Sequence, residues 1–373
     1  MAGRSPMFRK EKAAMLVLED GTVFEGYSVG ADVSSEGEVV FSTGLVGYPQ
    51  SLTDPSYCGQ ILAFTYPLIG NYGVPALKRN SHSIPLNFES DRIQVSGVVV
   101  AEASFEPSHH STNLSFPEWL KQEGVPGIAG IDTRALTRLL REHGVMKGKI
   151  LVEGAGLAHT NLEKADSPVK VVSVKEPIRY PAGPGAPKLV LVDCGVKVNI
   201  LRILIDSGVD VTRVPWDYPF ETLEYDGLFL SNGPGDPKAC TRTIAHLRHA
   251  LTQKRPIFGI CLGTQLMALA AGADTYKLKY GHRGQNQPAI ERTSGRCYIT
   301  SQNHGYAVQE ASLPPGWESW FTNGNDGTVE GIRAAGVPFK AVQFHPEGCP
   351  GPRDTEFLIH QFLDEVQNRR SAK

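Results

Sequence analysis

The sequence predicts an α/β protein, with an N-terminal mixed, mostly β domain followed by a C-terminal open, mainly parallel sheet with flanking helices. Three observations carry this. The chain has 373 residues, about twice what one domain of ordinary size needs. The run Pro181-Ala182-Gly183-Pro184-Gly185-Ala186-Pro187 forbids a continuing helix or a central strand. The hydrophobic rhythm differs on its two sides, with short alternating stretches before it and strand-turn-helix-strand units after it. The expected organisation is a disordered tail over 1–14, a first domain over 15–180, a linker over 181–187 and a second domain over 188–373.

The tail carries Arg4, Arg9, Lys10 and Lys12, and the apolar stretch that follows, 13–18, is too short for the hydrophobic region of a signal peptide. It reads as a frayed end, with a weak organelle-targeting segment as the alternative. Leu16-Val17-Leu18 and Val23-Phe24, separated by Asp20-Gly21, read as a hairpin. Further strands are expected at 38–41, 61–65 and 95–100, and helices at 117–122 and 132–143. The second helix opens on Asp132, spaces Leu136, Leu139 and Leu140 along one side and stops at Gly144.

After the linker, strands are expected at 189–192, 209–214, 227–230 and 256–260, and helices at 198–206 and 243–253. The first of these helices puts Ile200, Ile203 and Leu204 on one side and ends at Gly208. Ligand sites in open α/β sheets lie at the carboxyl ends of the strands. Two glycine-containing turns fall there, Gly233-Pro234-Gly235 and Gly259-Ile260-Cys261-Leu262-Gly263.

Composition narrows the function. Lys+Arg 37 against Asp+Glu 39 gives a net charge of −2, with no basic field to attract nucleic acid or an anionic membrane. No apolar stretch approaches the ~18 residues of a membrane span. Six cysteines without a Cys-x-x-Cys pair favour a reducing compartment, and so a cytoplasmic location, with free thiols. No metal-ligand spacing is present. The stretch 144–149 resembles a phosphate loop only superficially, because Ile150 stands where Ser or Thr is needed.

The segment around Cys261 is the most informative. Gly-x-Cys-x-Gly between an apolar strand and a helix rich in good formers has the form of a nucleophile elbow. A helix N-terminus and a neighbouring imidazolium would both favour a thiolate there. The N–H of Leu262 would face a developing oxyanion. The competing reading is a buried structural cysteine. A thiol nucleophile needs a base and a group that orients it. His345 ends the strand expected at 341–344, is followed by Pro346, and has Glu347 two residues on. By itself His-Pro-Glu is equally consistent with an ordinary loop.

Together, Ser231-Asn232-Gly233-Pro234-Gly235-Asp236, Phe258-Gly259-Ile260-Cys261-Leu262-Gly263 and Gln343-Phe344-His345-Pro346-Glu347 resemble the class I, triad-type glutamine amidotransferases, which have a flavodoxin-like fold. Within that class, Ser301-Gln302-Asn303-His304-Gly305-Tyr306, Leu52-Thr53-Asp54-Pro55-Ser56-Tyr57 and Tyr66-Pro67-Leu68-Ile69-Gly70-Asn71 resemble the small, glutaminase subunit of carbamoyl phosphate synthetase. The resemblance runs from about residue 15 to about residue 368.

The resemblance implies that Cys261 attacks the glutamine carboxamide, His345 shuttles the proton and Glu347 orients the imidazole. The backbone N–H groups of Gly233 and Leu262 would form the oxyanion hole. Ser56, Gly235, Gln265, Asn303, Gly305 and Tyr306 would hold the substrate. Ser56, placed in the first domain, would put the site at a domain interface; read locally, it is a turn residue after Asp54-Pro55. The resemblance also implies a large synthetase partner, or fused synthetase domains, using ATP, bicarbonate and a metal ion, with no cofactor in this chain. Members of the family usually carry His where this chain has Thr264, and activity is expected to survive that change. Two alternatives are the glutaminase of another class I amidotransferase and a non-catalytic assembly or regulatory subunit.

Overall fold

A computed structural model describes residues 11–157 and 167–371. The expected tail lies outside the described residues as far as position 10, and its last positions, Ala13 and Ala14, already belong to the first strand. The described residues form two compact units. Of these, one draws on residues 11–41, 59–76 and 95–157, the other on 42–58, 77–94 and 167–371.

In chain order the N-terminal half runs β1 (Ala13–Leu18), β2 (Val23–Ser28), β3 (Ser35–Ser42), α1 (Tyr48–Thr53), β4 (Gln60–Phe64), β5 (Leu68–Ile69), β6 (Gly97–Val99), β7 (Glu102–Ala103), α2 (Phe116–Gln122), β8 (Gly127–Ala129), α3 (Thr133–His143) and β9 (Met146–Val152). Seven of these strands close a barrel in the order β1-β2-β8-β6-β4-β3-β9. The expected hairpin is there, with Leu16 opposite Phe24 and Val17 opposite Val23. Alternation decides which side chains fill the barrel: Ala14, Leu16 and Leu18 of β1 are buried, as are Met146, Ile150 and Val152 of β9. The Asp132 carboxylate accepts the Ala135 N–H at 2.8 Å, so α3 begins where the sequence placed it.

The second unit continues with α4 (Pro168–Val172), β10 (Ile178–Tyr180), β11 (Lys188–Asp193), α5 (Val198–Asp206), β12 (Asp210–Pro215), β13 (Gly227–Leu230), α6 (Thr241–Thr252), β14 (Ile257–Ile260), α7 (Leu262–Ala271), β15 (Thr275–Glu291), β16 (Cys297–Val308), β17 (Trp317–Asn323), β18 (Val329–Ala334), β19 (Phe339–Val342) and α8 (Phe357–Ser371). One sheet runs β10-β12-β11-β13-β14-β19-β18-β17-β15-β16. Its centre, β12-β11-β13-β14-β19, is parallel, and the strands on either side of that centre are antiparallel. Because β10 pairs with β12, the Pro/Gly run at 181–187 is a loop between two strands of one sheet. Pro and Gly ended a strand there without ending the unit.

Period-two alternation gives the sheet two cores. Leu228 and Leu230 pack with Leu247 of α6 and Leu266 and Met267 of α7. Phe229, between them in sequence, packs on the other face with Leu201 and Leu204 of α5 and Phe362 of α8. The rings of Phe229, Phe258 and Phe362 lie 5.6–5.7 Å apart. Among the described residues no helix is long and apolar enough to cross a membrane.

Candidate active site

β14 ends at Ile260 and α7 starts at Leu262, so Cys261 alone makes the turn between them. Its φ of 54° and ψ of −106° lie in a region a side chain with a Cβ rarely adopts, at a cost of about 1–3 kcal/mol. The surroundings enforce that conformation. The Cys261 N–H donates to Val342 O at 2.9 Å, and the Cys261 carbonyl accepts the Thr264 N–H at 3.0 Å. The flanking glycines act through space rather than through dihedral freedom. A Cβ on Gly259 would stand 2.8 Å from the Gly263 backbone, and one on Gly263 2.5 Å from Leu230 O. The thiol is buried at the N-terminus of α7 and points its S–H toward Asn303 O at 3.6 Å.

His345 lies just past β19, and its N–H donates to Ser301 O at 2.8 Å, which ties the turn to β16. Its Nδ1 is 2.6 Å from Glu347 Oε1. Nε2 is buried without a hydrogen bond, leaving it as the nitrogen available to Cys261. Burial and the nearby Lys197 ammonium would depress the imidazole, but the Glu347 carboxylate outweighs them, so His345 is raised to about 10. Burial would likewise raise Glu347, yet Lys197 and His345 hold it down at about 2.

Lys197 immediately precedes α5. Its Nζ donates to Glu347 Oε1 at 3.0 Å and to Gly348 O at 2.5 Å. Burial disfavours its charge, but Glu347, Glu89 and Asp54 together keep the ammonium firmly protonated. Two residues on, Asn199 Nδ2 donates to Glu347 O at 2.7 Å. The acid of the expected triad is therefore held at both its side chain and its backbone by the first turn of α5.

A second network lies beside the thiol. Asn232 donates through Nδ2 to Ser56 Oγ at 2.8 Å and accepts the Lys197 N–H at 3.0 Å. Asp54 accepts the Ser56 N–H and Asn303 Nδ2, each at 2.9 Å. Ser56 is thus both the turn residue its local sequence suggests and a partner of Asn232. It belongs to the second unit, because Ser42–Cys58 group there, so Ser56 and Cys261 share one unit, contrary to the placement read from the sequence. Gly233 is obligatory: a Cβ would sit 2.1 Å from Cys194 O. Gly235 has φ +89°. Both N–H groups of Gln265 are engaged, with Tyr306 O at 2.9 Å and Gln343 Oε1 at 3.1 Å, which leaves its Oε1 to accept. A polar cavity of about 20 Å³ touches His345, Asp54, Lys197 and Asn303, room for roughly one water.

Residues 190–365 match the model of the class-I glutamine amidotransferases, and residues 16–150 match that of the carbamoyl-phosphate synthase small chain, CPSase domain. The arginine-specific small chain of carbamoyl phosphate synthase from Emericella nidulans is 47% identical over 98% of this chain and 82% of its own length. The chain belongs to the carbamoyl-phosphate synthase small-chain family. It is also 46% identical, over 97% of its length, to the multifunctional protein ura1 of Schizosaccharomyces pombe, and 48% identical, over 94%, to the multifunctional protein CAD of Squalus acanthias. Of those two proteins it spans only 18% and 16%.

In this small-chain family member, sequence reasoning did not single out Lys197, Asn199 or Asp54. Lys197 could have been suspected, since it lies in a strand-end loop like those of Gly233 and Cys261. Thr264, the departure noted in the sequence, is fully buried and donates to Val342 O at 2.6 Å. Among the described residues, His282, His304 and Glu330 form a buried group whose ligand atoms lie within 4.8 Å. Sequence spacing did not reveal it, because the three come from β15, β16 and β18. His282 bridges Asp326 at 2.8 Å and Glu330 at 3.2 Å, and His304 Nδ1 lies 2.9 Å from Tyr306 O. The His282 hydrogen bond and the nearby His304 ring, 3.7 Å from the same oxygen, hold Glu330 down at about 2 despite its burial, and His304 braces the Tyr306 carbonyl that Gln265 also uses.

Proposed function

We propose that this chain hydrolyses glutamine to glutamate and ammonia through a Cys261–His345–Glu347 triad and a glutamyl thioester. The observation that carries the reading is the strained, buried Cys261 at a helix N-terminus beside an imidazole whose far nitrogen is bonded to a buried carboxylate. With the thiol proton resting on His345 Nε2 as a thiolate–imidazolium pair, the sulfur attacks the carboxamide carbon. The carbonyl electron pair moves onto oxygen, which faces the N–H groups of Gly233 and Leu262. The imidazolium returns the proton to the amide nitrogen, the C–N bond breaks and ammonia leaves. Water then attacks the thioester as His345 accepts its proton, and C–S cleavage frees glutamate and restores the thiol. Ser56, Gly235, Asn303, Gly305, Tyr306 and the free Oε1 of Gln265 hold the substrate.

The ammonia would pass to a large synthetase partner, or to synthetase domains of a fused polypeptide, that makes carbamoyl phosphate from bicarbonate and ATP in the cytoplasm. ATP, bicarbonate and any metal ion are assigned to that partner, and no cofactor to this chain. The product would feed pyrimidine or arginine synthesis. The test compares wild type and Cys261→Ala assembled with the synthetase. Loss of glutamine-dependent synthesis with retention of ammonia-dependent synthesis is expected. Loss of both in an intact assembly would overturn the division of labour.

A further inference from the structure

We infer that Glu89 is a positioning residue for the Cys261–His345–Glu347 triad, acting through the first turn of α5; the inference rests on the glutaminase reading above. Glu89 lies in the Leu77–Gln94 segment of the second unit, far from α5 in sequence, and is completely buried. A carboxylate is buried only where it is paired, and this one is paired onto a helix start. Its backbone O accepts the Val198 N–H at 3.1 Å, and its Oε2 accepts the Asn199 N–H at 3.1 Å. Lys197, the residue that precedes α5, makes no side-chain cap of its own, so Glu89 satisfies first-turn donors that would otherwise be orphaned. Its other oxygen takes Arg202 Nη2 from the same helix at 2.9 Å, and its N–H is fixed by Thr53 Oγ1 at 2.9 Å.

That turn carries two of the groups that hold Glu347. Lys197 grips its carboxylate and the Gly348 carbonyl, and Asn199 grips its backbone carbonyl. Glu89 therefore sets the turn, the turn sets Glu347, and Glu347 sets the His345 ring. Charge follows the same route. The groups facing this buried cluster are Lys197 and Arg202 from α5, Glu347 and Cys349 from the turn after β19, Asp54 from the loop after α1, and Glu89 itself. Removing the Glu89 charge leaves Lys197 and Arg202 with one carboxylate fewer to offset them, and the less compensated Lys197 makes the His345 imidazolium less favourable.

Glu89→Gln, Glu89→Asp and Asn199→Ala, each checked by circular dichroism and thermal melting, are compared with wild type in glutamine hydrolysis with the synthetase partner present. Glu89→Gln is expected to lower kcat about 10- to 100-fold, as displacement of a catalytic group from its productive geometry does, with the glutamine KM within about twofold. The alkaline limb of kcat/KM moves to lower pH, and Glu89→Asp restores part of both effects. A folded Glu89→Gln protein with unchanged kcat and an unchanged alkaline limb overturns the proposal. If Glu89→Gln does not fold, Asn199→Ala decides, because it cuts the bond from α5 to the Glu347 carbonyl without removing a charge and leaves Lys197 as the remaining hold; unchanged kcat there overturns it equally. Wild type that fails to hydrolyse glutamine would instead refute the glutaminase reading.

Discussion

Lys197 Nζ and Glu347 Oε1 form a 3.0 Å ion pair whose side chains are 2% and 0% exposed. The same oxygen is 2.6 Å from His345 Nδ1, so one carboxylate oxygen serves two cationic partners. Breaking a buried pair from one side leaves an uncompensated charge and typically costs about 3–5 kcal/mol. Lys197→Met should therefore destabilise the protein by that amount in urea unfolding. With the ammonium gone, the carboxylate bears on His345 alone, so the imidazole should titrate higher than in wild type. A histidine signal followed by NMR across the alkaline range checks this, and a downward move would contradict it.

The triad pair also makes stability depend on pH in a defined window. Glu347 is held at about 2 against an ordinary 4.5, so its contribution is complete above 4.5 and is lost as pH falls toward 2. His345 is raised to about 10 from an ordinary 6.5, so its contribution is complete below 6.5 and is lost as pH rises toward 10. Both are present between 4.5 and 6.5, where this pair should stabilise most. Urea midpoints measured across the range should decline on both sides, and Glu347→Gln should flatten both declines. An unchanged alkaline slope in that variant would show that His345 draws its proton affinity from elsewhere.

Much of this site was legible because its chemistry is concentrated in turns between elements of clear period. The strand into Cys261 and the helix after it stand where apolar patterning placed them, whereas the strand expected at 341–344 spans Phe339–Val342, so His345 lies beyond its end and is held by a single bridge to Ser301. The antiparallel half was not legible. β15 runs 17 residues with Gly281, Gly284 and Pro288 inside it and breaks register twice against β16, so no alternation marks it. Glu89, and the unit to which Asp54 and Ser56 belong, were opaque for another reason. The three residues sit in irregular segments that join the second unit, and nothing local to 42–58 or 77–94 distinguishes them from loops of the barrel unit in which the sequence embeds them.

Two glycines of the expected substrate site should respond very differently to one methyl group. At Gly233 a Cβ would lie 2.1 Å from a backbone oxygen and 2.9 Å from Leu262 Cδ2, while at Gly305 the one close atom is Arg283 Nη2 at 3.3 Å, the end of a flexible side chain. Overpacking against backbone costs about 1–3 kcal/mol or more. Gly233→Ala should lose stability on that scale and lose glutaminase activity, since its own N–H must move. Gly305→Ala should stay within about 0.5 kcal/mol of wild type, the usual range where no such clash arises. Equal melting temperatures for the two variants would contradict the geometry.

Thr264 offers a test that separates stability from catalysis. Its hydroxyl donates to Val342 O at 2.6 Å, the same carbonyl that accepts the Cys261 N–H at 2.9 Å. Val342 closes the strand that leads into His345. Thr264→Val keeps the shape and removes the donor, but the carbonyl retains its second partner and is not orphaned. The loss should then fall near the net worth of a single hydrogen bond, about 1 kcal/mol, with kcat for glutamine hydrolysis within about twofold of wild type. Cys261 stays in its strained turn because the backbone bond to Val342 and the tight glycine contacts at 259 and 263 remain. A fall in kcat well beyond that range, at matched stability, would mean that the hydroxyl itself helps set the nucleophile.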